Sequence, residues 1–443
     1  NQRDYMKLMR PITVPDPLLG EIDISDVAPI IDSTYFQRLR SVKQLGTTIY
    51  LYPNETHSRF AHCIGAYHRA KQRIKSWRDT SREYKRKGIN VLSAQEERNI
   101  AIYALTHDIG HGPLSHVIED VTSFNHEENG KHVIKNGIKK AIVACDGNPT
   151  IIHDMLAKKH PLGRIVDDKV LGVEKWDYLE RDLHFSGAGV LAPPHLKDIE
   201  KHVVWYKNQL MITSEVVHPV RNLILFYWNA YKEVYFSPKS LFYQRLFQKM
   251  IHKELATGTL KETELWNLND GEIEGRLKTS SHEEVRTLFE RGMQRALHRA
   301  IVFRLAPYLH EEHCEKNVHL SSADTQFLTA FESLNAEALQ EIEHSIATIA
   351  SINPIDILFV PVSRASHKRF SPHTVPVLMR NLKDTVDLFD HYTDMRHALK
   401  THEESFLAVR IFCNQRYIPK LVKKAKEIKA FLEQYASNKN ALR

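Results

Sequence analysis

The chain has 443 residues, of which 42% are apolar and 26% charged, with 17 glycines and 18 prolines. This mixture is typical of a folded globular protein and excludes fibrous and low-complexity classes. No apolar run approaches the roughly 18 residues that a membrane helix needs, and the first residues lack a signal-peptide core. We therefore expect a cytoplasmic protein with two or three domains, or with one large core and an appendage.

Lysine and arginine together number 61, and aspartate and glutamate 54, which gives a net charge of +7. A positive balance suits polyanionic partners such as nucleotides or nucleic acid, but it selects none of them. The four cysteines are widely spaced without a Cys-x-x-Cys pair, so we expect neither a disulfide framework nor a zinc ribbon. The unusual number is that of the histidines, 26.

The N-terminal part of the chain predicts helices joined by short segments. Apolar spacing favours a helix over 30–45 that ends at Gly46. The β-branched and aromatic run 47–52 favours a short strand. Helical spacing then predicts a helix over 59–77.

Further helix signals follow in the middle of the chain. Ser93 and Glu96 have the spacing of a capping box, which opens a helix that continues to Gly110. Residues 171–183 carry an apolar stripe at helical spacing. The other helices predicted before residue 351 are 221–235, 239–255, 282–305 and 323–350.

The pattern changes after Pro354. Residues 355–362 and 406–412 favour buried strands, and 418–435 favours a basic amphipathic helix. The predicted fold class is therefore mostly α, with a helical core and a small mixed α/β C-terminal lobe. The expected divisions are 1–255 for the core, 256–350 for a helical extension of it, and 351–443 for the lobe.

Histidines and carboxylates cluster in four short stretches, which are 57–62, 107–116, 125–128 and 174–182. Imidazole and carboxylate groups are the ligands that zinc, manganese, iron and nickel sites use when thiolates are absent. A single histidine is more often a surface residue or a satisfied core residue. The conjunction of a His-Asp doublet, a glycine-bounded histidine loop and a downstream carboxylate helix nevertheless predicts a metal site.

Four motifs resemble the HD-superfamily deoxynucleoside triphosphate triphosphohydrolases, which include the dGTPases and the SAM-and-HD-domain dNTPases. In the family's order they are FQRLRSVKQLG at 36–46, YPNETHSRFAHCIGAYH at 52–68, THDIGHGPLSH at 106–116 and EKWDYLERD at 174–182. The resemblance covers residues 15–255 and implies a helical HD-domain phosphohydrolase core.

The resemblance also implies a divalent metal cofactor (Mn, Mg, Fe, Ni or Zn) and assigns residues to it and to the substrate. The positions of the metal ligands match His62, His107, Asp108 and Glu174. The catalytic positions beside the metal match His111, His116, Glu119 and His126. The substrate-binding positions match Arg59 and Lys175 at the phosphates, and Gln44, Leu45, Tyr178, Asp182 and Tyr235 around the deoxyribose.

The chain departs from the family's pattern at several positions. Glu174 stands where the family has Asp, so the fourth ligand is either Glu174 or Asp177. Ala61 replaces an acidic residue, and Tyr227 and Ser237 replace an arginine and a histidine. Unless the grip on phosphate is weaker, the cations that would rebuild it are Arg181, Lys232 or Lys239.

The expected reaction is metal-dependent hydrolysis of a deoxynucleoside triphosphate at the α-phosphate, which gives a deoxynucleoside and tripolyphosphate. The nucleoside leaves as a poor alkoxide, so a general acid is needed, and we assign that role to His116 oriented by Glu119. The resemblance further implies a homo-oligomer, and a regulatory nucleotide is a second expected partner.

Three alternatives stay open at the level of sequence. HD chemistry also permits hydrolysis of another nucleotide. The positive charge and the basic stretch 69–87 permit nucleic-acid binding, which is not favoured because aromatic residues for base stacking are sparse there. The departures from the family permit a degenerate module that senses nucleotides without hydrolysing them.

Overall fold

The computed structural model of the chain describes residues 11–123, 125–187, 195–293, 300–306, 319–322, 325–331, 334–361, 374–406 and 408–441. Helices account for most of these residues, and the strands form three small sheets. The predicted mostly α fold class is confirmed.

Helices of eight or more residues form the framework. Before residue 260 they are Arg59–Arg78, Ala94–Thr106, Pro149–Leu156, Val173–Ser186, Val217–Ala230 and Pro238–Ala256. After it they are Asp270–Lys278, Glu283–Met293, Ala336–Ala350, Thr393–Phe406 and Ala425–Ala441. The shorter α-helices are Ala28–Ile31, Thr34–Gln37, Arg82–Arg86, His126–His132, Lys139–Ala144, Arg164–Asp167, Leu196–Lys201, Glu262–Leu265, Thr325–Thr329, Leu388–His391 and Ile418–Lys423.

Hydroxyl caps fix where two central helices begin. Ser58 accepts a hydrogen bond from the backbone amide of Ala61 at the start of Arg59–Arg78. Ser93 and Glu96 form the predicted capping box, in which each side chain bonds to the other residue's backbone amide. Such caps stabilise a helix by about 1 kcal/mol each.

The helices predicted at 59–77 and 171–183 are confirmed. The helix that opens at the capping box ends at Thr106 rather than at the predicted Gly110. Arg59–Arg78 packs against both Ala94–Thr106 and Val173–Ser186 in the largest apolar core. Because Ala94–Thr106 ends early, the residues that follow Thr106 lie beside the other two helices.

The single helix predicted over 30–45 is wrong. The segment contains two short helices, Ala28–Ile31 and Thr34–Gln37, followed by the 3₁₀ turn Arg38–Ser41. Ser33 causes the interruption, because its backbone is extended and its hydroxyl caps the next helix instead of continuing the first.

The strand predicted over 47–52 is also wrong, since Gly46–Tyr50 is a 3₁₀ turn. The hydroxyl of Thr48 donates to the backbone carbonyl of Leu45 at 2.6 Å and so supports the turn. The ring of Tyr50 stacks on that of Tyr243, with 5.4 Å between centroids. The β-branched and aromatic content of this segment therefore serves tertiary packing rather than a sheet.

The helices predicted at 221–235 and 239–255 are confirmed, with the predicted break at Pro238. The last turn of the first one, Tyr231–Tyr235, is a π-helix. This wider turn changes the direction in which its tyrosines point relative to a regular α-helix.

Two longer helix predictions are wrong in part. The helix over 282–305 ends at Met293, and Ala300–Ala306 is a strand. The helix over 323–350 is divided, because Asn335 caps a new helix at Ala336–Ala350 by accepting a hydrogen bond from a backbone amide.

The C-terminal region contains a four-stranded sheet. In spatial order its strands are His319–Ser322, Ala300–Ala306, Val409–Cys413 and Ile357–Pro361. The first pair is parallel and the other two pairs are antiparallel. The strands predicted at 355–362 and 406–412 are confirmed over Ile357–Pro361 and Val409–Cys413. Both predictions begin too early, because Pro354–Asp356 is a 3₁₀ turn and Phe406 ends a helix; Val362 and Leu407 lie outside the described residues.

A second four-stranded sheet joins distant parts of the chain. Its strands in spatial order are Val203–Tyr206, Gln209–Thr213, Pro376–Leu378 and Thr385–Asp387, and a separate hairpin pairs Thr13–Asp16 with Gly20–Asp23. Both four-stranded sheets contain strands from before and after residue 350. The division into 1–255, 256–350 and 351–443 stays a prediction.

The helix predicted over 418–435 is two helices, Ile418–Lys423 and Ala425–Ala441, separated at Lys424. The first helix begins at the predicted residue, and Pro419 lies in its first turn, where proline is favoured. Among the helices of the described residues, none is both long and apolar enough to cross a lipid bilayer.

Candidate active site

Three helices bring the predicted metal ligands to one place. His62 lies in the first turns of Arg59–Arg78, and His107 with Asp108 follows the end of Ala94–Thr106. Glu174 lies in the first turn of Val173–Ser186. The first and third helices approach closely at Gly65, where a Cβ atom would lie 2.1 Å from the carboxylate of Asp177.

The two imidazoles face each other through one nitrogen each, with 3.2 Å between the Nε2 atoms of His62 and His107. The opposite nitrogen of each ring already has a partner. Nδ1 of His62 lies 2.9 Å from the carboxylate of Asp177, and Nδ1 of His107 lies 2.8 Å from the backbone carbonyl of Ala104. With Nδ1 as the N–H donor in both rings, the two Nε2 atoms face each other as acceptors, and a cation between them, either a proton or a metal ion, makes this approach favourable.

The distances fit a divalent ion. Two ligands bound at 2.0–2.2 Å to one ion lie roughly 3 Å apart when the angle between them is near 90–110°. One ligand atom from each of His62, His107 and Glu174 lies within 4.8 Å of the other two. Asp108 adds an oxygen 3.5 Å from Nε2 of His107. A site of imidazoles and carboxylates suits Mn, Fe, Ni or Zn better than an all-oxygen site does.

The sequence left Glu174 and Asp177 as alternatives for the fourth metal ligand, and the structure places their carboxylates differently. Oε2 of Glu174 lies 3.6 Å from Nε2 of His107, on the side where the lone pairs meet. Asp177 lies behind His62 and forms an ion pair with Arg181, with Nε and Nη2 each 3.0 Å from a carboxylate oxygen. Glu174 is therefore the carboxylate at the candidate metal site, and Asp177 orients a ligand.

Charge around the site follows from burial and close partners. Burial by itself would raise the pKa of Asp108, but the cation of Arg59, followed by His107 and His111, holds it well below its usual range. Burial likewise opposes ionisation of Asp177, yet Arg181 and the hydrogen bond from His62 lower its pKa. Both carboxylates are thus anionic at neutral pH and suited to a divalent cation.

The guanidinium of Arg59 is held by three partners. It donates to a carboxylate oxygen of Asp108, to the hydroxyl of Ser115 at 2.9 Å and to the backbone carbonyl of Gln44 at 3.2 Å. Arg59 therefore lies beside the candidate metal site, and its predicted role at phosphate stays a prediction.

The predicted catalytic residues form a second group next to the first. Oε1 of Glu119 lies 2.9 Å from Nδ1 of His116 and 2.7 Å from Nδ1 of His126. The rings of His111 and His126 stack with 3.9 Å between centroids. Nε2 of His111 lies 3.4 Å from Asp108, which connects the two groups.

A glycine permits this arrangement. A Cβ atom at Gly110 would lie 2.1 Å from the backbone carbonyl of His126 and 2.3 Å from the amide of Gly130. The histidine loop and the helix His126–His132 approach each other through this gap, and His111 and His126 stack as a result. Burial and the neighbouring cations lower the pKa of His111, while the hydrogen bonds from His116 and His126 lower that of Glu119.

Among the residues predicted to surround the deoxyribose, Asp182 and Tyr235 contact each other, and Gln44 and Asp182 are buried. Tyr235 donates to one oxygen of Asp182 at 2.5 Å, and Nε2 of His57 lies 2.7 Å from the other. The side-chain oxygen of Gln44 is buried and has no hydrogen-bond partner among the described residues. Leu45 is half-buried and packs against the main core. The structure thus shows the surroundings of four of the five residues predicted around the deoxyribose, which are Gln44, Leu45, Asp182 and Tyr235.

Lys175 lies in a box of aromatic rings. Its ammonium is 5.3–5.7 Å from the ring centroids of Tyr178, Tyr227 and Tyr231, and the hydroxyls of Tyr178 and Tyr231 are 2.6 Å apart. Burial lowers the pKa of Lys175 to about 8, although Glu174 and Asp168 oppose the shift. A weakly solvated cation of this kind is suited to a phosphate.

One of the three cations that could rebuild the phosphate grip is already engaged elsewhere. Arg181 is buried in ion pairs with Asp177 and Asp16, so its predicted role at phosphate is wrong. Tyr227 donates to the backbone carbonyl of Val170, and Ser237 caps the helix Pro238–Ala256. Both departures from the family pattern therefore have structural roles here. Lys232 and Lys239 are exposed, and their role stays a prediction.

Sequence reasoning missed three residues around the site: Glu55, His57 and Tyr231. Both carboxyl oxygens of Glu55 are buried without a hydrogen-bond partner among the described residues. Burial, with a smaller contribution from Asp182, raises the pKa of Glu55 to about 9, so it is a neutral acid at pH 7. The signal for His57 was its place in the histidine-rich stretch 57–62; Glu55 and Tyr231 carried none.

Comparison with known proteins gives relatives over part of the chain, while no family model matches it. Over 188 residues the chain is 35% identical to a putative HD domain-containing protein of Acanthamoeba polyphaga mimivirus. This match covers 37% of this chain and 41% of that protein. Over 254 residues it is 28% identical to the deoxynucleoside triphosphate triphosphohydrolase SAMHD1 homolog of Dictyostelium discoideum, covering 53% and 48%. The matches thus span about half the length of these curated relatives.

The fold is similar to one in a solved structure. A phosphohydrolase from Bacteroides thetaiotaomicron superposes with a TM-score of 0.66 at 18% sequence identity, covering 91% of this chain and all of that one. At this identity the similarity shows the fold.

Proposed function

We propose that the chain is a dNTPase-like member of the HD superfamily, a metal-dependent phosphohydrolase that converts deoxynucleoside triphosphates to deoxynucleosides and tripolyphosphate. The observation that carries the proposal is the approach of two imidazoles, whose Nε2 atoms lie 3.2 Å apart, with Asp108 and Glu174 beside them. A cation-binding centre of this composition, next to a hydrogen-bonded histidine group, supports hydrolysis at phosphorus.

The residues that would hold the ion are His62, His107, Asp108 and Glu174. The chemistry that a bound divalent ion supplies is polarisation of a phosphoryl oxygen and a lowered pKa of bound water. The protein's own contribution begins with orientation, since Asp177 and the Ala104 carbonyl fix both imidazoles in the tautomer that presents Nε2.

His116 is the proposed general acid. Glu119 accepts a hydrogen bond from Nδ1–H of His116 and thereby fixes the ring so that Nε2 faces outward. The side chain of His116 is 59% exposed, so a substrate can reach it. Its Nε2 proton would pass to the O5′ atom as the bond to phosphorus breaks.

Positive charge for the triphosphate comes from Arg59 and Lys175. Arg59 lies against Asp108, and the carboxylate of Glu174 is near enough to Lys175 to oppose the lowering of its pKa, so both cations lie near the candidate metal site. Preorganised cations in a partly dry cleft stabilise the charge that develops during phosphoryl transfer.

Asp182, Tyr235 and Gln44 support a deoxyribose-binding role. Asp182 keeps its carboxylate fixed between His57 and Tyr235, and Gln44 offers an oxygen that still lacks a partner. These groups suit a single sugar hydroxyl. We infer from them a preference for a 2′-deoxy sugar over ribose.

Nucleic-acid binding through the basic stretch 69–87 has less support. Arg69, Arg73 and Arg78 each form an ion pair with a glutamate, and Arg73 is fully buried. Cations held in this way contribute little to a phosphate-binding surface. A homo-oligomer and a regulatory nucleotide remain predictions.

The proposal is tested by incubating the protein with each of the four dNTPs and four NTPs in the presence of Mg²⁺ or Mn²⁺. Products are separated by reverse-phase and anion-exchange chromatography. We expect deoxynucleoside and intact tripolyphosphate from dNTPs, and at least tenfold slower turnover of NTPs. Release of inorganic phosphate or pyrophosphate would contradict attack at the α-phosphate, and equal turnover of GTP and dGTP would contradict the deoxyribose preference.

A further inference from the structure

The group of His111, His116, Glu119 and His126 has the composition of a cation site in its own right. One ligand atom from each of the four residues lies within 4.8 Å of the other three. We propose that these residues form a second metal site, which takes Zn²⁺ or a similar transition metal ion and inhibits the enzyme when it is filled.

The donor set supports a borderline transition metal rather than Mg²⁺. Three imidazoles and one carboxylate match the nitrogen and oxygen ligands of zinc sites, whereas Mg²⁺ prefers oxygen ligands and keeps its waters. Oε1 of Glu119 already lies 2.7–2.9 Å from one nitrogen of His116 and one of His126. His111 and His126 are stacked with an angle of 11° between their rings, so these two rings would turn apart on binding to direct one nitrogen each at the same ion.

A buried nitrogen of His111 gives independent support. The residue is 1% exposed, and its Nδ1 atom has no hydrogen-bond partner among the described residues. Buried polar atoms are nearly always paired, and an exception often marks a missing water or ion. Its other nitrogen, Nε2, faces Asp108 at 3.4 Å. His111 thus has one nitrogen toward the first metal site and one left for a ligand.

Access to the second group differs from access to the first. The side chain of His116 is 59% exposed and that of His126 is 19% exposed, so an ion from solvent can reach them. In the first group, His62 is fully buried. We therefore expect the second site to exchange its ion faster and to release it to a chelator first.

Inhibition follows from the role of His116, and this part of the inference rests on the proposed function. An imidazole that binds a cation through a ring nitrogen cannot also carry the extra proton that a general acid gives up. The bound ion replaces the Nδ1 protons that lie between Glu119 and the rings of His116 and His126; in a neutral ring the proton moves to Nε2, and a ring protonated on both nitrogens releases one proton to solvent. Binding of the ion and loss of turnover are separate observations, so each can fail without the other.

The binding experiment uses the metal-free chain without an affinity tag. The protein is dialysed against buffered Zn²⁺, and bound zinc per chain is measured by mass spectrometry. We expect two zinc ions per chain in the wild type and one in His126→Asn. The matched control His132→Asn, at an exposed histidine in the same helix, should keep two. His62→Ala should lose the first site and keep the second.

Glu119→Gln provides a second variant in case His126→Asn fails to fold, and thermal unfolding identifies that case. One zinc ion in the wild type, or two in both Glu119→Gln and His126→Asn, would overturn the proposed site. With Mg²⁺ in excess, added Zn²⁺ should lower turnover at least tenfold, and brief chelation should restore it. Undiminished turnover at two bound zinc ions would overturn the inhibitory role while leaving the site in place.

Discussion

Nδ1 of His62 lies 2.9 Å from the carboxylate of Asp177, and both groups are fully buried. The imidazole is thereby fixed with Nε2 toward His107. Burial favours the neutral ring, but Asp177, together with Asp108 and Glu174, raises the pKa of His62 above its usual range. The contact between His62 and Asp177 is thus what prepares this nitrogen for a cation.

Removing the charge of Asp177 should weaken metal binding. Asp177→Asn keeps the size of the side chain but no longer fixes the tautomer of His62, and substitutions behind a metal ligand typically weaken affinity on the order of 10- to 100-fold. Isothermal titration of the metal-free protein with Mn²⁺ measures the effect. Glu180→Gln, which loses an ion pair with Arg69 on the same helix, should bind Mn²⁺ as the wild type does. Equal affinity of the two variants would argue against the orienting role.

The second prediction concerns His116. His116→Ala should lower kcat by about 10²- to 10⁴-fold, since it removes the proposed general acid. Because His116 is exposed and lies outside the first metal site, Mn²⁺ binding and the unfolding temperature should stay close to the wild-type values. Single-turnover assays with a dNTP measure the rate of the chemical step. A wild-type rate with metal bound would eliminate His116 as the acid.

Lys175 provides the third prediction. Lys175→Met should lower kcat/KM for dNTPs on the order of 10- to 100-fold, the effect of losing one charged hydrogen bond to phosphate. Stability should be maintained or raised, because the wild-type ammonium is buried among tyrosine rings and burial lowers its pKa to about 8. Steady-state kinetics and thermal unfolding together check this. Lys201→Met, at an exposed lysine, is the control and should change neither quantity.

The fourth prediction follows from Glu55, whose folded-state pKa of about 9 lies above the ordinary value of 4.5. Between these values the unfolded chain has lost the proton and the folded chain keeps it. The unfolded state then binds fewer protons, so the contribution of Glu55 to the free energy of unfolding falls as pH rises. At most, the fall is about 1.4 kcal/mol per pH unit.

Glu55→Gln removes this dependence, so its advantage in stability over the wild type should grow steadily from pH 5 to pH 9. Urea unfolding at pH 5.5, 7 and 8.5 measures the difference. Glu83→Gln, on the protein surface, should show no such trend. A difference between Glu55→Gln and wild type that does not vary with pH would show that Glu55 is ionised in the folded protein.

The parts of the fold that could be predicted from sequence are those fixed by local chemistry. The capping box at Ser93 and the apolar stripe of 171–183 are complete within one turn or one helix face. The segments 30–45 and 47–52 were predicted wrongly because their conformations depend on partners far away in the chain. Tyr50, for example, stacks on a ring almost two hundred residues later.

The candidate site shows the same contrast. His62, His107 and the histidine loop could be named because short motifs carry the resemblance to a family. The choice between Glu174 and Asp177 could not be made, since it depends on where Val173–Ser186 faces the helix that carries His62. Glu55 could not be named either, because its significance comes from burial beside Asp182, 127 positions later in the printed sequence.

The parallel pairing of Ile212 with Val377 limits how the chain can be shortened. Cleavage at residue 350 would leave the edge of Gln209–Thr213 without its neighbour and would expose the apolar surface that Leu388 and Phe389 cover in the main core. Exposed strand edges beside apolar surface promote aggregation. A protease that cuts between the two halves should therefore yield fragments that stay associated, and an N-terminal fragment produced alone should precipitate.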